Sequence, residues 1–280
     1  MWKTKLCLNT LNRAMPKKEQ IALIKEAGFE GFFTGWKRDE DLLDIREFAD
    51  SIDMYFQSVH APFLGAANMW RGGAAAEAAL DELMSCLEET ARAGVKIMVC
   101  HAWIGFYTGE VPTECGIENY RKLVLRAREL GVKIAFENTE GEEFLAALLE
   151  AFADYDNVGF CLDTGHETCY NRDADLLALY GDRLIATHIN DNLGVKRFDG
   201  VIAPTDDLHL LPFDGVKDWG DFAKRMKKCG YGGGELTFEL KLASHKGRHD
   251  NDIYQAMPFE MYLAEAYKRA CRVATLINNI

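Results

Sequence analysis

Residue types that can hold a metal ion or move a proton recur at the ends of apolar, β-rich runs in this chain, six runs in succession. The run Tyr55-Phe56-Gln57-Ser58-Val59 closes on His60, and Ile97-Met98-Val99-Cys100 leads into His101. Ile134-Ala135-Phe136 leads into Glu137-Asn138, and Val158-Gly159-Phe160-Cys161-Leu162 leads into Asp163-Thr164-Gly165-His166. Leu184-Ile185-Ala186-Thr187 ends in His188 with Asp191 close behind, and Leu236-Thr237-Phe238 ends in Glu239. Each alone has an ordinary structural reading. A histidine after an apolar run is more often a hydrogen-bonded core residue, Asp163-Thr164-Gly165 suits a helix cap, and Glu239 can pair with Lys241. Jointly they are harder to explain that way, because carboxylates converging on one buried rim repel each other and stay costly unless a cation neutralises them. Mixed imidazole and carboxylate donors without thiolate suit Zn²⁺ or Mn²⁺, with Co²⁺ and Fe²⁺ also compatible, whereas Ca²⁺ takes imidazole poorly.

The elements that must carry these residues alternate regularly. Strand-like runs cover 5–8, 31–35, 55–60, 96–101, 133–137, 158–163, 184–189 and 235–240. Between them, helical periodicity covers 17–27, 40–51, 75–93, 117–130, 142–152, 173–179, 219–229 and, last, 258–277. Gly28, Gly94, Gly131 and Gly230 stand where a helix would stop before the next strand. Eight strands each followed by a helix predict an α/β fold of the (β/α)8 TIM-barrel type, a single domain over residues 1–280, close to the roughly 250 residues such a barrel uses. A doubly wound nucleotide fold is the competing architecture, but neither G-x-G-x-x-G nor G-x-x-x-x-G-K-[ST] occurs. In a parallel barrel the C-terminal strand ends form the active face, so the six polar strand ends would share one site. The longest irregular segments, about 190–216 and 241–257, follow late strands, where barrel enzymes carry substrate loops.

Composition narrows the partners. Hydrophobic residues make up 48% and charged residues 27%, an ordinary globular balance that excludes a disordered or low-complexity chain. Lysine plus arginine number 32 against 44 acidic residues, a net charge of −12, so a nucleic-acid partner is disfavoured at long range. Metal bound at the strand-end carboxylates Glu137, Asp163 and Glu239 would offset part of that charge at the active face, which leaves a phosphate-bearing substrate open. The eight cysteines form no C-x-x-C pair and several lie inside apolar runs, as expected of reduced, buried thiols in a cytoplasmic protein. No signal peptide and no apolar stretch of membrane-spanning length is evident, and a homo-oligomer is compatible with the composition.

At these residues the sequence resembles a known family. Ser58-Val59-His60-Ala61-Pro62-Phe63, Glu137-Asn138-Thr139-Glu140-Gly141, Leu162-Asp163-Thr164-Gly165-His166, His188-Ile189-Asn190-Asp191 and Phe238-Glu239-Leu240 are similar to the xylose isomerase-like TIM-barrel superfamily. That superfamily includes sugar and sugar phosphate isomerases and epimerases, inositol-catabolism enzymes, and apurinic endonucleases of the endonuclease IV type. The epimerase branch implies one metal held by Glu137, Asp163, His188 and Glu239. The endonuclease branch implies further metals on His60, His101, His166 and an Asp-x-His pair, present here as Asp207-Leu208-His209. Against that branch, the glycine-rich extension after the Glu137 motif is missing. The stretch from His209 to Trp219 instead resembles an H-x-x-P-G-x-G-x-x-D-W pattern of sugar isomerases, with Phe213 in place of the usual glycine.

The resemblance implies a divalent-metal-dependent isomerase or epimerase acting on a small carbohydrate, by proton transfer at carbon next to a carbonyl through an enediolate. The alternatives are a multinuclear phosphodiesterase, an inositol-catabolism dehydratase or isomerase relative, and a non-catalytic sugar-binding or regulatory barrel, which the intact four-residue set weakens. Glu137 and Glu239 fit the pair that exchanges the proton from opposite sides. Asn190 or Asp191 would orient His188 or meet a substrate hydroxyl. His60, His101, His166, Trp103, Asn138, Asp191 and Lys241 are the expected substrate contacts. Trp36 and Trp103 are candidate walls against a sugar ring, with rim packing the plain alternative. Arg197, Lys241, His245, Arg248 and His249 would bind an anionic substrate group or form a solvated basic rim.

Overall fold

The strands follow from alternation, with successive side chains directed in turn to the barrel axis and to the face beneath the helices. The computed structural model describes residues 4–11, 14–106, 109–172, 174–196, 200–231 and 234–280. In chain order the elements are β1 (Lys5–Asn9), α1 (Lys17–Glu26), β2 (Gly31–Gly35), α2 (Leu42–Ser51), β3 (Tyr55–His60), α3 (Ala66–Met69), α4 (Gly73–Arg92), β4 (Ile97–His101) and α5 (Glu114–Leu130). There follow β5 (Lys133–Glu137), α6 (Glu142–Ala151), β6 (Val158–Asp163), α7 (Thr164–Cys169), α8 (Leu176–Tyr180), β7 (Leu184–His188), α9 (Trp219–Lys228), β8 (Glu235–Phe238), α10 (Asp252–Gln255) and α11 (Phe259–Asn278). All strand pairs are parallel, in the order β7-β6-β5-β4-β3-β2-β1-β8, so the expected eight-stranded TIM barrel forms.

The barrel closes at the β7–β8 seam by a single bridge, Ile189 with Phe238. There the Ile189 N–H donates to the Thr237 carbonyl at 2.8 Å and the Glu239 N–H to the Ile189 carbonyl at 3.2 Å. Below, the Thr187 hydroxyl stands in for a backbone acceptor and takes the Thr237 N–H at 3.0 Å. His188 and Glu239 therefore flank the seam.

Helix ends obey local chemistry. Asp41, Thr113, Asp175 and Asp218 accept backbone N–H groups at the starts of α2, α5, α8 and α9. Gly28, Gly94, Gly131 and Gly230 all adopt positive φ, the conformation a helix stop requires. The stretch expected as helix over 173–179 begins at Leu176 because Asp175 serves as its cap, and Asp173 lies outside the described residues. Three short helices, α3, α7 and α10, lack a sequence periodicity long enough to reveal them.

The main apolar core lies between the strands and the helix ring. A second, small cluster of Val99, Ala135, Cys161 and Ala186 fills the barrel interior. Each of these residues stands two positions before His101, Glu137, Asp163 or His188, so the same pleat face that buries the apolar layer raises the polar residues directly above it. All eight cysteines are free. Among the described residues no helix is long and apolar enough to cross a membrane.

Candidate metal centre

Glu137 stands at the centre of the polar layer and is fully buried. Its Oε2 lies 3.3 Å from His60 Nε2 and 3.4 Å from His101 Nε2, while its Oε1 lies 3.1 Å from His188 Nδ1 and 3.4 Å from His166 Nδ1. His188 Nδ1 is also 3.2 Å from Glu239 Oε2. Ligand atoms of Glu137, Asp163, His188 and Glu239 all lie within 4.8 Å of one another, and two more groups, His60 with Glu137 and His188, and Asp163 with His166 and His209, satisfy the same limit. Nearly all the metal-type residues read from the strand ends thus converge, joined by His209.

Two of these residues keep their donor atoms free. Neither carboxylate oxygen of Glu137 and neither ring nitrogen of His188 has a hydrogen-bond partner, although all are buried. An unpaired buried polar atom costs about 1–3 kcal/mol, more when charged, so four in contact demand compensation. A divalent ion provides it: tetrahedral donors at ~2.0–2.2 Å from an ion stand roughly 3.3–3.6 Å apart, close to the His188 contacts. The residues present fit such an ion.

Surrounding groups fix the donors. His60 Nδ1 contacts the Ala61 carbonyl at 2.8 Å and His166 Nδ1 the Asn138 carbonyl at 2.8 Å, which leaves Nε2 of His60 facing Glu137 and Nε2 of His166 facing Asp207. Asp163 uses Oδ1 to cap α7 through the His166 N–H, at 2.7 Å, and Oδ2 to accept from Asn190 Nδ2, at 2.9 Å. The helix-cap reading of Asp163 and its place in the cluster are therefore both realised. His209 sits at φ 46°, a left-handed conformation a β-carbon disfavours, with Nδ1 3.1 Å from the Glu239 carbonyl and Nε2 2.8 Å from Asp207 Oδ2. Phe33 stacks on the His188 ring at 4.6 Å.

Electrostatics follow from this crowding. Burial alone would push Glu137 up, but His188 and His101 beside it hold its carboxyl well below the usual range. Burial likewise opposes ionisation of Glu239, and His188 and His209 hold it low. Asp163 is pushed up, chiefly by burial. Burial lowers His101, whereas in His188 the depression from burial is outweighed by Cys161, Glu137 and Glu239.

Other expected contacts sit differently. The Asp191 carboxylate points away from the cluster and accepts from the Asn192, Phe213 and Lys217 backbone N–H groups and from the Trp219 indole, at 2.8, 2.9, 3.2 and 3.0 Å. It organises the 210–219 stretch, and Asn190 is the residue that reaches the cluster. Trp103 is buried, stacked on Phe144 at 4.0 Å with its indole N–H given to the Gly105 carbonyl, so it packs beneath the rim instead of forming a wall. Asn138 spends its amide on the Asp163 backbone and on Asn171. Lys241 pairs with Asp207 at 3.0 Å, and His245 contacts the Asp207 carbonyl. Arg248 and His249 pair with Asp250 and Asp252, and Arg197 lies outside the described residues.

Sequence reasoning missed the aromatic group at the mouth: Phe63, 40% exposed, stacks on His101 at 4.7 Å and meets His60 edge-on. Its place directly after His60-Ala61-Pro62 was the available signal. Glu140, buried and accepting the Gly105 N–H at 2.6 Å, was also missed, and burial pushes its carboxyl up to about 7.

Residues 21–258 match the model of the xylose isomerase-like TIM barrel family, and the chain belongs to that family. A curated relative, the uncharacterized protein y4fM of Sinorhizobium fredii (strain NBRC 101917 / NGR234), is 39% identical over 153 residues, which span 51% of this chain and 45% of that one. The match therefore covers less than half of that relative's length. Among solved structures, a D-psicose 3-epimerase determined in the presence of D-fructose superposes with a TM-score of 0.72 at 14% identity, covering 98% of this chain and 99% of that one. The IOLI protein with a bound zinc atom superposes with a TM-score of 0.70 at 17% identity, covering 98% of each chain. At these identities the two structures establish the shared fold.

Proposed function

We propose that this protein is a divalent-metal-dependent sugar or sugar phosphate isomerase or epimerase that moves a proton at carbon next to a carbonyl. The observation that carries the reading is the convergence of Glu137, Asp163, His188 and Glu239, with both Glu137 oxygens and both His188 ring nitrogens left without a hydrogen-bond partner. Zn²⁺ or Mn²⁺ fits the donor set best, and a solved neighbour described as IOLI protein with a bound zinc atom agrees with it. A bound ion would polarise the substrate carbonyl and spread the negative charge that develops when the adjacent C–H bond breaks.

The protein's own groups do the rest. Glu137 lies at the floor beside His188, and Glu239, 20% exposed in its side chain, stands at the mouth on the other contact of the same ring nitrogen. The two carboxylates exchange the substrate proton, one removing it and the other returning it. His60 and His101 present Nε2 beside Glu137 and take substrate oxygens. Phe63 screens the mouth from water, and Lys241 at the rim offers a donor to a hydroxyl or an anionic group. The protein acts on a small carbohydrate in the cytoplasm.

The test is exchange of carbon-bound substrate hydrogen with deuterated solvent, across ketoses, aldoses, inososes and their phosphates. Glu137→Gln and Glu239→Gln should each abolish it; full exchange in both would refute the pair assignment. A second reading, a multinuclear phosphodiesterase, draws on the two additional ligand groups. Nicking of abasic-site DNA by metal-loaded protein would favour it over sugar chemistry.

A further inference from the structure

Two cavities meet beside the metal centre. The one above the cluster, bounded by Phe33, His60, Phe63, Glu239 and Lys241, holds about 220 Å³. The other holds about 480 Å³ and lies against Met15, Lys17, Gln20, Trp36, Lys37 and Glu40. Thr10 and Gly35 border both. Gly35 ends β2 in register with His60, so the boundary lies on the strand next to that histidine. A substrate whose carbonyl end sits over the cluster therefore reaches the second cavity with its other end.

The second cavity carries an excess of positive charge. Lys17 is half-buried and gives its ammonium to the Glu40 carboxylate and to the Gly35 carbonyl, the latter at 2.7 Å. Lys37 borders the same cavity, and among the described residues its ammonium has neither an ion pair nor a hydrogen bond. One carboxylate thus serves two ammonium groups. Burial lowers the Lys17 pKa against the pull of Glu40, and the Lys37 charge lowers it further, so the two cations repel each other. No side chain caps the first turn of α1, from which Lys17 and Gln20 reach the cavity, and its backbone N–H groups add to the positive field. An anion placed here interacts favourably with all of these groups, whereas a neutral hydroxyl leaves the excess charge unbalanced. The basic residues expected at the rim are engaged elsewhere: Lys241 with Asp207, Arg248 with Asp250 and His249 with Asp252.

We infer that the substrate is an anionic sugar, with a phosphate or carboxylate at the end remote from its carbonyl, and that Lys37 and Lys17 hold this group in the second cavity. This rests on the sugar proton-transfer reading. The test compares deuterium exchange into fructose, fructose 6-phosphate and fructuronate by the metal-loaded wild-type protein and Lys37→Glu. Lys18→Glu controls for net charge, since the Lys18 ammonium pairs with Asp44 and does not border the cavity. At least one anionic sugar should exceed fructose in kcat/KM by about tenfold, the factor one charge-assisted hydrogen bond supplies, and which one does so separates phosphate from carboxylate. Lys37→Glu should remove that advantage and keep the rate on fructose, because Lys37 borders only the second cavity, and Lys18→Glu should keep both. Fructose equal or preferred to both anions, an advantage that survives in Lys37→Glu, or equal losses in Lys37→Glu and Lys18→Glu would overturn the inference. Binding is followed independently of turnover by calorimetry with glucitol 6-phosphate and gluconate, which have no ketone or aldehyde. Binding of either weakened about tenfold in Lys37→Glu alone, with no exchange into any sugar, retains the cavity and refutes the proton-transfer reading. Equal binding of both in all three proteins refutes the cavity, whether or not fructose exchanges.

Discussion

His188 Nδ1 lies 3.1 Å from Glu137 Oε1, both atoms buried and neither making a hydrogen bond. Such a contact is costly by itself and favourable around a shared cation, so metal should stabilise the fold. At a metal concentration a hundred times the dissociation constant the gain is about 2.7 kcal/mol, or a Tm rise of roughly 5–10 °C for a chain of this size. Thermal unfolding with and without Zn²⁺ or Mn²⁺ checks this. His188→Ala should lose most of the increment, and an unchanged increment in that variant would place the metal elsewhere.

Asn190 holds the cluster from behind. Its amide donates to Asp163 Oδ2 at 2.9 Å, while its N–H and carbonyl bind the Thr164 hydroxyl at 2.9 and 2.6 Å. A group that orients a ligand in this way is worth about 10–100-fold in metal affinity. Asn190→Ala should weaken binding by that factor in a chelator competition, with a smaller effect on unfolding of the metal-free protein. Undiminished affinity would mean that α7 capping alone positions Asp163.

Asp191 should matter for stability more than for chemistry. Its carboxylate collects four donors, three from loop backbone and one from Trp219. Asp191→Ala strands them at about 1–3 kcal/mol for each that stays dry. Urea unfolding should show a loss of several kcal/mol, and Gly215→Ala should resemble it, because a β-carbon there would lie 2.2 Å from Asp191 Oδ1. A near-neutral Asp191→Ala would contradict this role.

The strand-end residues were readable because three regularities coincide. Apolar alternation locates each strand, barrel geometry assigns its C-terminal end to the active face, and Val99, Ala135, Cys161 and Ala186 set the inward parity that carries the next polar residue into the site. The loops lack such a period. Asp191 carries the same residue type as a ligand, and only the fold shows it facing Phe213, Lys217 and Trp219. Trp103 reads as a rim aromatic until its stacking on Phe144 is seen. Phe213 was visible as a departure from the family glycine, and the structure gives the physical consequence: it adopts φ 77°, with Arg272 packed 3.8 Å over its ring.

Glu140 provides a pH dependence outside the metal ligands. Burial raises its folded-state pKa from 4.5 to about 7, so the folded protein favours the protonated form. The sign follows from linkage: its contribution is fully present below the unfolded value of 4.5 and is lost as pH rises through about 7. Glu140→Gln keeps an oxygen for the Gly105 N–H while removing the titration. The difference in unfolding free energy between variant and wild type should therefore shift in favour of the variant from pH 5 to pH 8, by an amount on the order of 3 kcal/mol. Urea titrations of both proteins in matched buffers isolate this group, because titrations common to the two cancel. A difference that stays constant across that interval would show that the Glu140 carboxyl ionises as readily in the folded chain as in the unfolded one.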